Sequence, residues 1–264
     1  MAPQAELTIE RGIATIALSN TERHNALSVD MIDDIGIALE TAESDQGVRV
    51  VVLTGSGRSF CVGADLAAPP ERRTLRRDSA AGDLARLKHA QRLAERIHTL
   101  RQPTIAAVNG ACAGAGLSLA LACDFRLASR RAVLNTAFLT AGLAGDLGGI
   151  WFATRILGGT RARSLFMLPG RVDASTAKDI GLISDVLDED TFDADVRAVA
   201  TRLATSAPIA LQEMKRNLLT AECTPLGEYL TGEAERMVRS FHTQDAREAA
   251  DAFLGKRNPV FTGS

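Results

Sequence analysis

Residues 104–124, TIAAVNGACAGAGLSLALACD, are the stretch whose residue types and spacing point most directly to chemistry. An apolar run, Thr104 to Val108, breaks at Asn109-Gly110, passes through glycines and alanines to Gly116, and resumes as an alanine-leucine run ending at Cys123-Asp124. The pattern reads as strand, turn and helix. A glycine-rich turn entering a helix aims unpaired backbone N–H groups, reinforced by the helix dipole, at whatever sits above them. Such a turn suits an anion, either a ligand phosphate or a charge created during a reaction. Thiol and metal chemistry find less support. Cys61, Cys112, Cys123 and Cys223 show no CxxC spacing and no neighbouring His pair, and they read as small buried residues. His89 and His98 fall on one helix, where a packed or solvated role is the simpler reading.

The elements that must position this turn follow from periodicity. Leu7 to Glu10 and Ile13 to Leu18 flank Arg11-Gly12 as a β-hairpin. Ser28 caps a helix with Met31, Ile32, Ile35, Leu39 and Ala42 on one face. Val48 to Thr54 is a β-branched run of the kind buried on both faces of a sheet, which completes a βαβ unit. GSGRSFCVGADL then forms a loop at the strand's C-terminal edge, where ligands of open α/β sheets sit. The segment with Pro69-Pro70 and ERRTLRRD reads as a solvated loop, with a basic contact to an anionic ligand as the alternative. A helix over 81–101 places Leu84, Leu87, Ala94, Ile97 and Leu100 near one face, and Pro103 ends it. Short strands at 125–128 and 132–135 follow, then a turn over 142–149 and a helix over 148–157. The rest reads as helices over 161–167, 174–180, 191–204, 209–221, 226–242 and 245–254. The expected division is an α/β core over 1–195 and a helical region over 196–264.

Composition narrows the function classes. The chain has 264 residues, 46% of them hydrophobic and 23% charged, with a formal charge of -2. It can bury a sizeable core. The charge gives no electrostatic reason to expect nucleic acid. No apolar run approaches the roughly 20 residues of a membrane span, and MAPQAELTIE lacks a signal-peptide pattern, so a cytoplasmic protein without a membrane partner is expected.

Five ordered motifs carry a resemblance over essentially the whole chain: NTERHNALS (20–28), SFCVGADL (59–66), AVNGACAGAGLSLALACDF (107–125), AGLAGDLGG (141–149) and GKRNPVFTG (255–263). Together they make the chain resemble the crotonase superfamily, the enoyl-CoA hydratase/isomerase family. The resemblance implies an α/β fold: a crotonase-like ββα spiral core with a C-terminal helical trimerisation region. It further implies homotrimers, often paired into hexamers, and acyl-CoA thioester substrates with no cofactor beyond the coenzyme A of the substrate. By resemblance, the backbone N–H groups of Ala64 and Ala115 bind the thioester oxygen, so the anion expected at the turn is an enolate. Preorganised donors of this kind lower the barrier where charge develops. Gly116 belongs to the same turn. Candidate coenzyme A contacts are Arg23, His24 and Ala26, the backbone near Gly63 and Asp65, and Lys256, which reaches a neighbouring subunit's phosphates or is a solvated tail residue.

The acid-base residues choose the reaction. Hydratases of this family place two glutamates above the oxygen site, because adding water needs one group to activate it and another to deliver a proton. The matching positions here are Ser118 and Phe138, so both carboxylates are missing. One remains: Asp146, where isomerases and dehalogenases of the family keep an aspartate. The expectation is a double-bond isomerase with Asp146 as base. Its pKa should be raised by apolar neighbours such as Leu143, Leu147, Phe138 or Trp151. The plainer role for Asp146 is an N-cap of the 148–157 helix. Three other readings stay open: enoyl-CoA hydratase, hydrolase or dehalogenase with Asp146 as nucleophile and His89 beside it, and non-catalytic coenzyme A binding. Asp65 and Asp124 are expected to satisfy local backbone N–H groups.

Overall fold

The computed structural model describes residues 4–264; the first three residues of the segment read as lacking a signal-peptide pattern lie outside it. The opening hairpin pairs β1 (Ala5–Glu10) with β2 (Ile13–Leu18) in antiparallel register, Glu10 opposite Ile13. Its turn needs positive φ at both central residues, supplied by Arg11 (50°) and Gly12 (79°). Ser28 then caps α1 (Val29–Ser44) by accepting a hydrogen bond from the Met31 amide at 3.2 Å, and the five anticipated apolar side chains are buried.

From here the chain repeats a ββα unit. The first strand of each unit enters a large sheet and the second a small one. β3 (Val50–Gly55) and β4 (Ser59–Cys61) precede α2 (Ala80–Thr99). β5 (Thr104–Val108) and β6 (Ala111–Ala113) precede α3 (Ala115–Ala122). β7 (Phe125–Ser129) and β8 (Val133–Asn135) precede α4 (Gly149–Met167). β9 (Val172–Asp173), α5 (Ala174–Asp179) and β10 (Asp185–Leu187) complete the two sheets. The large sheet has the order β1-β2-β3-β5-β7-β10 and is parallel beyond the hairpin. The small one has the order β4-β6-β8-β9, parallel except at β9.

Alternation along β3 explains its continuous apolar run. Val51 and Leu53 face the main core with α1 and α2, while Val50 and Val52 face a second cluster with Phe192, Val196 and Ala200 of α6 (Phe192–Ala204). The proposed division at 195/196 therefore falls inside a helix that covers the sheet. All eight residues of α3 are buried, as in a helix enclosed on every side.

The C-terminal helices α7 (Pro208–Ala221), α8 (Leu226–Phe241) and α9 (Gln244–Leu254) extend from this core. α7 is pinned by buried Lys215, whose Nζ donates to Asp124 Oδ2 (2.7 Å) and to the Gln102 carbonyl (3.1 Å). α8 buries no residue, and Leu230, Met237, Val238 and Phe241 are exposed on it. Among the described residues, no helix is long and apolar enough to cross a membrane.

Several expectations change. β4, β6, β9 and β10, with two or three residues each, were not anticipated, and β6 falls inside the segment read as a turn; so short a strand is defined by its distant partner rather than by its own pattern. The two helices read at 148–157 and 161–167 are present within α4, separated by a kink at Gly158, whose backbone (φ 74°, ψ 162°) is not helical. Leu84 is exposed rather than core-facing, and so is Cys223. Burial pushes the thiols of Cys61 and Cys123 up to about 12 and that of Cys112 well above its ordinary value, so all three stay protonated and unreactive.

Candidate active site

Two loops meet at the edge of the small sheet. Leaving β4, residues Val62–Leu66 run beside Leu27 as a single parallel bridge. The Leu27 amide donates to the Gly63 carbonyl (2.7 Å), and the Asp65 amide donates to the Leu27 carbonyl (3.0 Å). Because donors alternate along an extended chain, the Ala64 N–H points away from Leu27. The second loop enters α3 through Gly114, whose φ of 52° and ψ of −126° suit a residue without a side chain. Gly114 offers no side-chain cap, so the first amides of α3, beginning with Ala115, stay open. Among the described residues, neither the Ala64 nor the Ala115 amide has a backbone partner.

Close packing brings the two loops together. A methyl group on Gly63 would lie 3.3 Å from the Ala115 nitrogen and 3.1 Å from the Ala113 carbonyl oxygen. One on Gly116 would lie 2.2 Å from the Cys61 carbonyl oxygen, an impossible contact. Gly116 therefore permits the close approach of α3 to β4 and does not itself line the cavity described next.

Ala64 and Ala115 both border a cavity of about 160 Å³ whose wall is otherwise mostly apolar, including Leu27, Leu87, Ala90, Phe138, Leu143 and Leu147. Asp146 lines the same cavity. Its Oδ1 is buried without a hydrogen-bond partner, and burial raises its pKa from 3.8 to about 6. The segment around it bends sharply: Gly145, Leu147 and Gly148 all have positive φ, at 103°, 47° and 72°. A left-handed leucine is uncommon and marks a backbone held by its surroundings. The capping role read for Asp146 is not met, because the N-cap of α4 is Gly148 and no side chain caps it. Asp146 contributes only its backbone carbonyl, which accepts from the Gly149 amide at 3.0 Å.

The remaining anticipated residues divide. Gly63, Asp65 and Phe138 line the cavity. Phe138 stacks on Phe166 with ring centroids 6.5 Å apart and planes 10° from parallel. Asp65 also does the structural work expected of it: its Oδ1 accepts from the Ala67 amide (3.1 Å) and lies 3.8 Å from Arg23 Nη1. Ser118 is off the cavity wall, with its hydroxyl packed against Gly149 and weakly donating to the Gly114 carbonyl at 3.4 Å. Arg23, His24 and Ala26 do not line the cavity, and His24 Nδ1 lies 3.1 Å from Ser59 Oγ. Lys256 is exposed, just beyond the end of α9.

Two apolar or basic neighbours assigned to Asp146 lie elsewhere. Trp151 packs edge-on against His98 and Phe152 and carries Arg155 over its ring. His89 Nε2 sits 2.7 Å from Asp33 Oδ1 on the outer side of α2. Among the described residues, no histidine lines the cavity, which leaves a nucleophilic role for Asp146 without its named helper. Arg73 and Thr74 on the cavity wall belong to the ERRTLRRD segment, for which a contact with an anionic ligand was the alternative reading, but the sequence did not single them out. Their only signal was the basic run itself, because the path of the 66–80 loop is set by tertiary contacts.

Comparison with known proteins agrees with this architecture. The family model described as enoyl-CoA hydratase/isomerase matches residues 8–264. The chain is 35% identical over 257 residues to the 1,2-epoxyphenylacetyl-CoA isomerase of Escherichia coli, covering 97% of each chain. It is 36% identical to a probable enoyl-CoA hydratase of Rhodobacter capsulatus, covering 97% of this chain and 96% of that one. A crystal structure of a putative enoyl-CoA hydratase/isomerase from Mycobacterium abscessus superposes with a TM-score of 0.92 at 36% identity, covering 98% of this chain and 100% of that one. With a ββα core of matching shape and a family match over nearly its full length, the chain belongs to the enoyl-CoA hydratase/isomerase family of the crotonase superfamily.

Proposed function

We propose that the protein is an acyl-CoA double-bond isomerase in which Asp146 is the proton carrier. The observation that supports this most is a partially buried carboxylate with an unpaired oxygen in the same cavity as the open amides of Ala64 and Ala115. The thioester carbonyl of a 3-enoyl-CoA accepts hydrogen bonds from these two amides. Asp146 removes a proton from C2, and the electron pair moves through the conjugated system onto the thioester oxygen. The dienolate then collapses, C4 takes the proton back from Asp146, and the double bond lies between C2 and C3. No atom is gained or lost, and coenzyme A enters only as part of the substrate.

A pKa of about 6 suits both halves of the cycle. At neutral pH the group is mostly ionised and can act as base, yet its conjugate acid is weak enough for the carboxylate to accept a carbon proton and strong enough to return it. The positions of the two hydratase glutamates hold Ser118 and Phe138, so no second carboxylate is supplied to activate water there. Hydration is the second reading, favoured by the relative from Rhodobacter capsulatus that carries that name. The discriminating experiment presents 3-enoyl-CoA and 2-enoyl-CoA in deuterated water. Isomerisation with deuterium incorporation that disappears in Asp146→Asn is the expected result; efficient hydration that survives this substitution would sink the proposal.

The same reading includes a homotrimer, alone or paired into a hexamer. The exposed Leu230, Met237, Val238 and Phe241 of α8, with Phe253 and Leu254 of α9, form an apolar surface of the kind that associates. Sedimentation equilibrium should give three or six times the 28.0 kDa of one chain. A single-chain mass would contradict it.

A further inference from the structure

The loop over 66–80 is rich in arginine, and most of its guanidinium groups hold the loop in place. Arg72 Nε lies 2.6 Å from Asp30 Oδ2. Arg76 donates to the carbonyls of Arg73 and Glu71. From α2, Arg86 binds Asp78 and Asp83 and donates to the Thr74 carbonyl at 3.1 Å. Arg77 is exposed and away from the cavity. Arg73 differs from these in bordering the cavity, which Arg72, whose buried Nη2 also lacks an acceptor, does not. It is half-buried on the cavity wall, and only its Nε–H is used, donating to the Ala68 carbonyl at 2.7 Å. Among the described residues, its two Nη groups have neither a hydrogen-bond acceptor nor an ion-pair partner.

The cavity's other charged side chains do not neutralise it. Asp65 already accepts from Ala67 and sits near Arg23, and Asp146 makes no ion pair with Arg73. The Arg73 Nη groups are not sealed from solvent, so they are free to exchange water for a ligand acceptor. Its paired Nη donors match a carboxylate in the bidentate geometry that makes such bonds strong.

We infer that Arg73 selects acyl-CoA thioesters whose acyl chain carries a carboxylate remote from the thioester. This rests on the acyl-CoA reading above and narrows its substrate class. The apolar residues between the amides of Ala64 and Ala115 and the Arg73 loop hold the methylene segment, and the distal carboxylate meets the Nη groups. A phosphate of the coenzyme A moiety offers similar anionic chemistry, so the test separates the two.

Binding of non-reacting saturated thioesters, measured by calorimetry, needs no catalytic turnover. Hexanoyl-CoA is compared with adipoyl-CoA, and octanoyl-CoA with suberoyl-CoA, on the unmodified protein and on Arg73→Gln. The expected result is a preference for the carboxylate-bearing partner in at least one pair, falling roughly tenfold or more in Arg73→Gln, as for loss of a charge-assisted bond. Arg73→Lys should retain part of it, because the charge remains while the fork is lost. An equal loss for both members of each pair would assign Arg73 to the coenzyme A moiety, or to loop structure, and overturn the inference. An unchanged ratio, or no preference in the unmodified protein, would overturn it as well. Failure of all four thioesters to bind the unmodified protein would defeat the acyl-CoA reading itself, and this inference with it.

Discussion

The two halves of the site are built on opposite principles. At the Ala64 and Ala115 amides the proposed working groups belong to the backbone, and side chains matter by being absent. Gly63, Gly114 and Gly116 let two loops and a helix approach so closely that two N–H groups open onto one cavity. Also on that cavity, the proposed working group is the side chain of Asp146, held by a strained turn and left without a partner for one oxygen. The first half gains stability from packing while it forms; the second costs stability in order to be reactive.

Three measurements test this contrast. The largest effect is expected on rate: in the proposed isomerase, Asp146→Asn should slow double-bond migration by about 10²–10⁴-fold, the usual worth of a general base. Saturated acyl-CoA binding should change little. A variant that keeps its rate would break the assignment of chemistry to the side-chain half.

Next, Gly116→Ala places a methyl 2.2 Å from the Cys61 carbonyl oxygen. Separating α3 from β4 should cost about 1–3 kcal/mol, read as a lower melting temperature, and weaken thioester binding with it. A variant that melts and binds like the parent would show that the backbone half does not depend on that close approach.

The smallest effect is on stability, and it has the opposite sign. Because the folded pKa of Asp146 is raised from 3.8 to about 6, the folded protein retains a proton that the unfolded chain has released between those values. Stability therefore falls as pH rises from about 4 to about 6, and the cost persists above that. Asp146→Asn should be more stable than the parent by about 1–2 kcal/mol at pH 7–8, less than the full shift allows because the carboxyl is partly solvated. The difference should vanish near pH 4. A variant less stable than the parent at pH 8 would mean that the carboxylate has a stabilising partner in solution.

How far the site was legible in the sequence follows the same contrast. The glycine-rich turn within 104–124 was legible from its residue types, but Ala64 and Ala115 were singled out by family resemblance, and both border the cavity. Asp146 was readable by family resemblance and by its apolar neighbours, although Trp151 proved to pack elsewhere. Ser118 could be placed on α3, but not off the cavity wall, because its direction depends on Gly149 from the start of α4. Arg73 was only one of several arginines in a charged loop. Its distinction lies in bordering the cavity with free Nη groups, and the path of the loop that puts it there is set by tertiary structure. Among the elements, long amphipathic helices and the doubly buried β3 were plain. Two-residue β9 was invisible because its identity is its pairing with β8.

The ion pair between Lys215 and Asp124 also bears on timing during synthesis. Its partners are 91 residues apart, and Asp124 stands at the exit of the same helix whose entrance carries the Ala115 amide. A nascent chain that has delivered α3 but not α7 holds this carboxylate with only the Thr104 amide and hydroxyl to satisfy it. Removing one member of a buried pair is costly, so the far end of α3 stays less firmly anchored until α7 emerges and docks. The helix that carries the Ala115 amide thus gains this anchor only from a later segment of the chain, through a residue that lines no part of the cavity.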